Sequence, residues 1–347
     1  CLACLSATLK RNCSKRMNVS FKPRWRPLAM ETCEPMPRLP KRLRRSWLRL
    51  TALMRKVNLL NAKQAMKRRT YLCAALLTLP SLSLANCPQP GQWWQEQAPL
   101  TNSELLATAS QQEVVLLGEQ HDSLDHHRWQ LHTLAGLHAL RDDMVIGLEM
   151  LPRSTQPALD AWVAGDIDTS TLLEQTRWHD IWGFEPDLYM PILAFAQMAQ
   201  IPLIALNIDS SLRQQLVNDG WESVAAAERY SIPPPQPASE AYQTRLTEVF
   251  NQHDMGDDPE ALERFIQAQL TWDVAMAQRL ADAAEDGALA VGLMGLGHIT
   301  YNDGVPHQLE AMGIERTLSL LPWQQNDCTT PDPTLADAVF VLTKMQP

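Results

Sequence analysis

Six short runs of aliphatic residues recur along the chain after residue 112, and each predicts a β-strand. The inner runs, such as EVVLL and ALAVGLM, are apolar at nearly every position rather than at alternate ones. Such runs are typical of a parallel sheet that helices cover on both faces. The predicted strands are Glu113–Leu117, Met144–Leu148, Pro202–Leu206, Ala288–Met294, Arg316–Leu321 and Ala338–Leu342.

Segments with helical periodicity separate these runs, and together they make βαβ units. We therefore predict an α/β fold, in which a mainly parallel sheet is flanked by helices. Residues 210–285 lack strand signals and predict a smaller helical lobe. The predicted helices are Leu124–Leu140, Leu188–Ala199, Glu240–Asn251 and Pro259–Ala284.

Residues 66–85 have the three parts of a secretory signal peptide. Met66 to Arg69 is basic, Thr70 to Leu79 is apolar, and Ser83-Leu84-Ala85 is a small-x-small cleavage pattern. The apolar part is about half of the roughly 20 residues that a membrane span needs, and a short buried helix is the alternative. Residues 1–65, rich in Arg, Lys and Pro, then form an upstream leader outside the working domain of residues 86–347. The sequence leaves three interpretations of this leader open: a disordered segment, an over-extended reading frame or a genuine basic extension.

Removing the leader and signal changes the charge of the protein. Residues 1–85 hold 19 of the 30 basic residues and only 2 of the 39 acidic ones, which leaves 11 basic and 37 acidic residues. The remaining formal charge of −26 excludes nucleic acid as a partner, because the phosphate backbone would be repelled.

Only two of the seven cysteines, Cys87 and Cys328, follow the predicted cleavage site. In an oxidising periplasm they can pair as a disulfide. Alternatively, Leu84-Ala85-Asn86-Cys87 is a lipobox and Cys87 carries a lipid that anchors the protein to the outer membrane. Asn86 is unusual in a lipobox, and the sequence leaves both outcomes open.

Polar side chains follow three of the predicted strands. Glu119 and His121 come after the first, Glu149 ends the second, and His298 follows the fourth at a Gly-x-x-His. Functional groups of parallel sheets gather at the carboxyl ends of strands, so we predict that these four side chains converge. For Glu149, a purely structural hydrogen bond is the alternative. The segment from Trp178 to Phe184 indicates either a flat apolar wall or ordinary core packing.

Several motifs in order resemble the ChaN-like proteins of the Tiki/TraB superfamily. They are VLLGEQHDSLDHHRWQ, GLEM, WHDIWGF followed by Y.PIL.FA, IPLIALN, QLTWDVAMA and GLGHITYNDGVP, and the resemblance covers roughly Gly118 to Pro306. The resemblance implies an exported protein of haem and iron uptake that binds haem between two subunits. A tyrosinate then holds the iron, and basic groups of the opposite subunit meet the propionates.

Carried onto this sequence, the resemblance implies Tyr189 as the first candidate ligand and Tyr301 as the second. His298, His121 and Arg128 are the candidate partners of the propionates. The implied partners are haem, a second copy of the chain and an outer-membrane haem receptor. The expected location is the periplasm.

The wider superfamily also implies an enzymatic alternative, a metal-dependent hydrolase. His121 and His298 would then bind a divalent metal or transfer protons, with Glu149 or Glu119 as the general base. No HExxH or other compact metal motif accompanies them. A third alternative is a partner-docking lipoprotein in which these residues form a packing network.

Overall fold

The computed structural model describes residues 87–252, 258–324 and 328–343. The predicted leader and signal peptide lie outside the described residues. Within the described ranges, no helix is both long and apolar enough to cross a membrane.

Eight strands form a single sheet in the described part of the chain. They are β1 Trp93–Gln95, β2 Ala98–Leu100, β3 Val114–Glu119, β4 Met144–Pro152, β5 Leu203–Asn207, β6 Leu289–Gly295, β7 Thr317–Gln324 and β8 Ala338–Leu342. Their order across the sheet is β2-β1-β8-β7-β3-β6-β4-β5.

Every pair of neighbours from β8 to β5 runs parallel, whereas β1 and β2 add an antiparallel hairpin at the β8 edge. The predicted α/β fold with a mainly parallel sheet is confirmed, and all six predicted strands overlap observed ones. The two missed strands have three residues each, which is too short for a periodicity to show.

Helices connect the strands. Those among the described residues are α1 Asn102–Ala109, α2 Leu124–His138, α3 Gln156–Ala164, α4 Thr169–Gln175, α5 Trp178–Ile181, α6 Met190–Ala199, α7 Ser210–Asp219, α8 Glu240–Gln252, α9 Pro259–Glu285 and α10 Val305–Ala311. The four predicted helices begin and end within two residues of α2, α6, α8 and α9.

Both faces of the sheet are buried, which explains the continuous apolar runs. Along β3, Val115 and Leu117 face one core and Val114 and Leu116 face the other. The first core also holds helix residues from α2, α3 and α6, namely Leu134, Leu137, Leu159, Trp162, Ile192 and Leu193. The second holds Met276, Ala277, Leu280, Val305 and Leu309 from α9 and α10.

The long helix α9 joins the sheet to the predicted helical lobe. Its second half packs on the sheet through Met276 and Leu280. Its first half packs on α8, where Ile266 and Leu270 meet Tyr242 and Leu246 in a separate small core. The middle of α9 therefore lies between the sheet and the lobe.

Cys87 and Cys328 are joined by a disulfide, with Cα atoms 4.9 Å apart and 241 residues apart in sequence. Of the two outcomes that the sequence left open for Cys87, the structure contains this one. The bond connects the segment before β1 to the segment before β8, at the edge of the sheet where the antiparallel hairpin joins.

We expect the double variant Cys87→Ser/Cys328→Ser to lose about 2–5 kcal/mol of unfolding free energy, because the unfolded chain regains the freedom that a long closed loop removes. Urea unfolding under oxidising conditions measures the loss. Reductant should bring the unaltered protein to the same midpoint. An unchanged midpoint in both experiments would contradict the disulfide.

Candidate functional site

The carboxyl ends of β3, β4 and β6 open into a cavity of about 930 Å³. Glu119 is the last residue of β3 and His121 follows it in the loop. Glu149 lies near the end of β4, and His298 ends a 3₁₀ turn that follows β6. All four side chains line this cavity, so the structure brings together the residues that the sequence predicted to converge.

Glu119 and His121 form the first acid–imidazole pair, with His121 Nδ1 2.6 Å from Glu119 Oε1. Burial works against the charged imidazole, but the hydrogen bond to Glu119 together with the negative charges of Glu149 and Glu119 raises the pKa of His121. Tyr189 donates its hydroxyl to the same carboxylate oxygen at 3.2 Å. His127 reaches the backbone oxygen of His121 at 3.2 Å and thereby supports the loop.

His298 lies between two carboxylates. Its Nδ1 is 2.5 Å from Asp273 Oδ1 and its Nε2 is 3.3 Å from Glu149 Oε1. Burial alone would lower the pKa of His298, but the two carboxylates raise it to about 10. The imidazole is therefore charged at neutral pH.

The charge of His298 lowers the pKa of both carboxyls, but the net shifts of Glu149 and Asp273 have opposite directions. Glu149 also accepts the backbone N–H of Gly295 at 2.6 Å, and despite its burial the pKa of its carboxyl is lowered by His298 and this bond. Burial raises the pKa of Asp273, which accepts the hydroxyl of Tyr242 at 2.8 Å. The chain Tyr242–Asp273–His298–Glu149 runs from the helical lobe to the sheet edge.

Gly295 separates the two acid–imidazole pairs. A methyl group on its Cα would lie 2.9 Å from His121 Cε1 and 3.7 Å from Glu149 Oε2. The imidazole of His121 therefore rests where any side chain at position 295 would collide with it. A glycine at the end of β6 lets the strands bring the two pairs this close.

Aromatic rings form two walls of the cavity. Trp182 and Phe184 contact the His121 ring, with centroids 4.5 Å and 5.1 Å away. Trp272 from α9 also lines the cavity, with the Arg213 guanidinium 3.9 Å from its ring centroid. The predicted apolar wall in the segment from Trp178 to Phe184 is thus present at the cavity.

Arg213 is half-buried in the cavity lining and has no ion-pair partner among the described residues, and burial lowers its pKa. Arg177, the other arginine of the lining, is exposed and lies 3.3 Å from Asp180. A half-buried cation without a carboxylate partner is a position that an anionic ligand group would stabilise.

Three residues predicted for the site lie elsewhere. Tyr189 is 2 % exposed and packs behind the Glu119–His121 pair, outside the cavity lining. Tyr301 is exposed at 38 % and lies beneath the Arg245 guanidinium, 4.6 Å from it, also outside the lining. Arg128 is paired with Asp125 on the outer face of α2, because that face turns away from the sheet edge.

Asp273, Tyr242, Arg213 and Trp272 are site residues that sequence reasoning missed. They come from helices rather than from strand ends, and helical positions near a site have no local sequence signature. The one available signal was Trp272-Asp273, a polar and aromatic pair within the apolar α9 motif QLTWDVAMA.

No group of three or more His, Cys, Asp or Glu side chains is arranged to hold a metal ion within residues 87–252, 258–324 and 328–343. Within each pair the acid and the imidazole are bonded to each other, and Glu149 also accepts a backbone N–H. The buried Glu119 Oε2 has no hydrogen-bond partner among the described residues.

The profile of the family described as "Haem-binding uptake, Tiki superfamily, ChaN" matches residues 105–309. The chain belongs to this family. The match begins in α1 and ends in α10, so it includes every residue of the two acid–imidazole pairs. Membership supports a haem-binding role. No curated protein sequence matches the chain.

Among solved structures, one similar fold is that of ChaN of Campylobacter jejuni, described as showing cofacial haem binding. It has 16% sequence identity and a TM-score of 0.57, and the match covers 72% of this chain and 95% of that one. The type III effector HopBA1 matches with 15% identity and a TM-score of 0.39, over 69% of this chain and 91% of that one. A variant of the erythromycin esterase EreC matches with 11% identity and a TM-score of 0.38, over 67% and 77%.

We expect the pKa values of two buried histidines, His298 and His126, to be shifted in opposite directions. The pKa of His298 is raised to about 10, whereas burial lowers the pKa of His126 to about 4. Nitrogen chemical shifts of labelled histidine should therefore show His298 protonated and His126 neutral from pH 5 to 8.

The same shift makes stability depend on pH. Because the pKa of His298 in the folded protein exceeds 6.5, the stability contributed by charged His298 is fully present below pH 6.5. That stability is lost as pH rises through 10. Titration of His298 near 6.5 would contradict the buried triad.

Proposed function

We propose that this protein binds haem in the cavity at the carboxyl ends of β3, β4 and β6. The observation that carries the proposal is the half-buried Arg213, which has no ion-pair partner within the described part of the chain and lies against Trp272 in the lining of that cavity. Family membership supplies the ligand class, and the cavity supplies a place for its flat apolar ring and its anionic groups.

The residues of the cavity fit this ligand in size and in chemistry. A volume of about 930 Å³ falls within the range of small-molecule and cofactor sites, roughly 300–1,000 Å³. Trp182, Phe184 and Trp272 offer ring surfaces to a tetrapyrrole. The buried carboxylates Glu119 and Glu149 are paired with histidines and Arg177 lies beside Asp180, which leaves Arg213 to meet a propionate. Bound haem would supply an iron centre, and the chain's residues bind it, orient it and exclude water.

The tyrosinate ligand implied by resemblance is hard to supply at this cavity. The Tyr189 hydroxyl is already donated to Glu119, and burial raises its pKa. Tyr301 would serve only a haem placed on the outer surface, beside Arg245. No tyrosine is among the described residues that line the proposed site.

A second copy of the chain is the proposed cover of the cavity. The structure from Campylobacter jejuni is described as having cofacial haems, an arrangement in which two rings face each other. In this chain, Ile181 is 39 % exposed in the cavity lining, next to Trp182, and is an apolar surface that a partner would bury.

We also propose that the protein is exported to the periplasm, where it takes part in haem and iron uptake. The predicted signal peptide supports it, and so does the Cys87–Cys328 disulfide, since such bonds persist in oxidising compartments. Sulfur in this disulfide cannot also carry a lipid, so the proposed form has no anchor at Cys87. An outer-membrane haem receptor is the proposed upstream partner.

Haemin added to the purified protein should give a saturable Soret band. We expect Arg213→Ala to weaken haemin affinity about tenfold or more, because a charge-assisted hydrogen bond contributes about 1.5–3 kcal/mol. The matched control is Arg264→Ala, which removes an exposed arginine of α9 and should leave affinity unchanged. Absence of saturable binding, or equal weakening in both variants, would contradict haem binding in this cavity.

A hydrolytic activity is the second candidate, and the Asp273–His298–Glu149 triad favours it. A histidine held between two carboxylates beside a second Glu–His pair is an arrangement suited to proton transfer. Glu119 or Glu149 would then be the general base, with His121 or His298 handling protons. The described residues offer no metal cluster to assist them.

A panel of chromogenic esters tests the second candidate. Hydrolysis that is lost in Glu149→Gln but kept in the exposed variant Glu248→Gln would support it. Rates equal to those of buffer alone across the panel would leave haem binding as the function of the cavity.

A further inference from the structure

Two arginines outside the cavity lack a group that neutralises their charge. Residues 87–343 contain ten arginines, of which six form ion pairs with carboxylates. Arg229 instead donates to three backbone oxygens, and Arg213 lines the proposed haem cavity. The other two are Arg153 and Arg279, and neither has an ion-pair partner among the described residues. In a domain as acidic as this one, two arginines without a carboxylate partner require an explanation.

Arg153 and Arg279 meet at one turn of α9. Arg153 follows the end of β4 and donates its Nη2 to the backbone oxygen of Ala275 at 2.6 Å. Arg279 comes four residues after Ala275, so it lies on the same face of the helix. Long side chains on a helix point back over the preceding turn, which directs Arg279 toward the turn that Arg153 contacts. Burial, and after it the positive charge of Arg279, lower the pKa of Arg153 to about 10.

The contacts of the protein leave this pair of positive charges largely uncompensated. Asp282 lies nearby on α9, but both of its carboxylate oxygens accept the side-chain amide of Gln278 at 2.6 Å. Among the donor atoms of the Arg153 guanidinium, only Nη2 has an acceptor within the described part of the chain, and the buried Nε has none. Neighbouring like charges repel, so an anion bound to both would stabilise this arrangement.

A tightly held loop forms a wall beside Arg153. The ring centroid of Tyr230 lies 5.3 Å from the Arg153 guanidinium carbon. Residues 221–232 are held together by Arg229, which donates to three backbone oxygens within this segment. Tyr230 and Ser231 both adopt left-handed backbone conformations, with φ of 56° and 58°, which cost energy in residues other than glycine. The position of the Tyr230 ring is therefore fixed by the fold of this loop.

We propose that Arg153 and Arg279 bind a small oxyanion of the phosphate or carboxylate class. The forked guanidinium matches the paired oxygens of such groups, and both arginines keep part of their surface exposed. Neither residue lines the proposed haem cavity, so this site is separate from it. A bound oxyanion would connect the end of β4 to α9. The proposal does not depend on the proposed haem function.

Inorganic phosphate added to the full chain without haemin tests the site. Thermal melting and isothermal titration should both show a saturable response, because an anion that binds only the folded state stabilises it. Citrate, in a parallel series, tests the carboxylate class, and chloride at matched ionic strength is the reference. If neither phosphate nor citrate has a saturable effect beyond that of chloride, the proposal is overturned.

The variant Arg279→Gln identifies the site. We expect it to weaken anion binding about tenfold or more, because one charge-assisted hydrogen bond is lost. In chloride alone it should melt no lower than the unaltered protein, because the repulsion of Arg153 is removed. A purely structural role for Arg279 predicts instead a lower melting temperature in every buffer. The matched control is Arg264→Gln, which removes an exposed arginine of the same helix and should keep the response.

Two further variants complete the test. Arg153→Lys keeps the positive charge but loses the forked geometry, so it should also weaken binding. Arg213→Gln should keep the response, because Arg213 lies in the proposed haem cavity. A response that survives in Arg279→Gln and Arg153→Lys, or one that is lost only in Arg213→Gln, would overturn the assignment. Because haemin is absent throughout, either result leaves the haem proposal to its own test.

Discussion

The contact between His298 and the buried carboxylates of Glu149 and Asp273 is the interaction on which the site depends. Glu149 is almost fully buried at the end of a strand whose neighbours are apolar, and a buried charge without a partner is costly. Removing one member of a buried ion pair costs about 3–5 kcal/mol, because the other charge remains uncompensated. The triad therefore fixes the turn after β6 and, through Asp273, the position of α9.

As a consequence of this contact, the two histidines of the cavity, His298 and His121, differ in their roles. His298 is held on both nitrogens and is charged at neutral pH, so it serves as a fixed counter-charge in the wall of the cavity. His121 is bonded to Glu119 through Nδ1 and lines the cavity, with 30% of its side chain exposed. Gly295 lies between them and allows the His121 ring to rest against the strand end. His298 therefore stabilises the site, whereas the partly exposed ring of His121 forms part of the cavity surface.

The sequence was sufficient for the sheet and for the part of the site that the sheet carries. Six strands buried on both faces leave continuous apolar runs, and polar residues directly after such runs must gather at one edge of a parallel sheet. Glu119, His121, Glu149 and His298 were predictable for this reason.

The rest of the site depends on how helices pack, which periodicity does not specify. Trp272 reaches the cavity, and Asp273 reaches His298, only because α9 packs against the sheet. Arg213 reaches the cavity because α7 follows β5. Tyr189 follows an aromatic segment that does line the cavity, yet its own ring turns inward to Glu119. A motif places a tyrosine near a site without stating which way its hydroxyl points. The interpretation of Tyr189 as a ligand therefore came from resemblance and has no support from its contacts.

The most direct test of the account is a crystal structure of the protein bound to haemin. The account predicts a porphyrin inside the cavity that Trp182 and Trp272 line, with a propionate on Arg213. A porphyrin bound outside this cavity, with Arg213 and the Glu119–His121 pair unchanged, would contradict it.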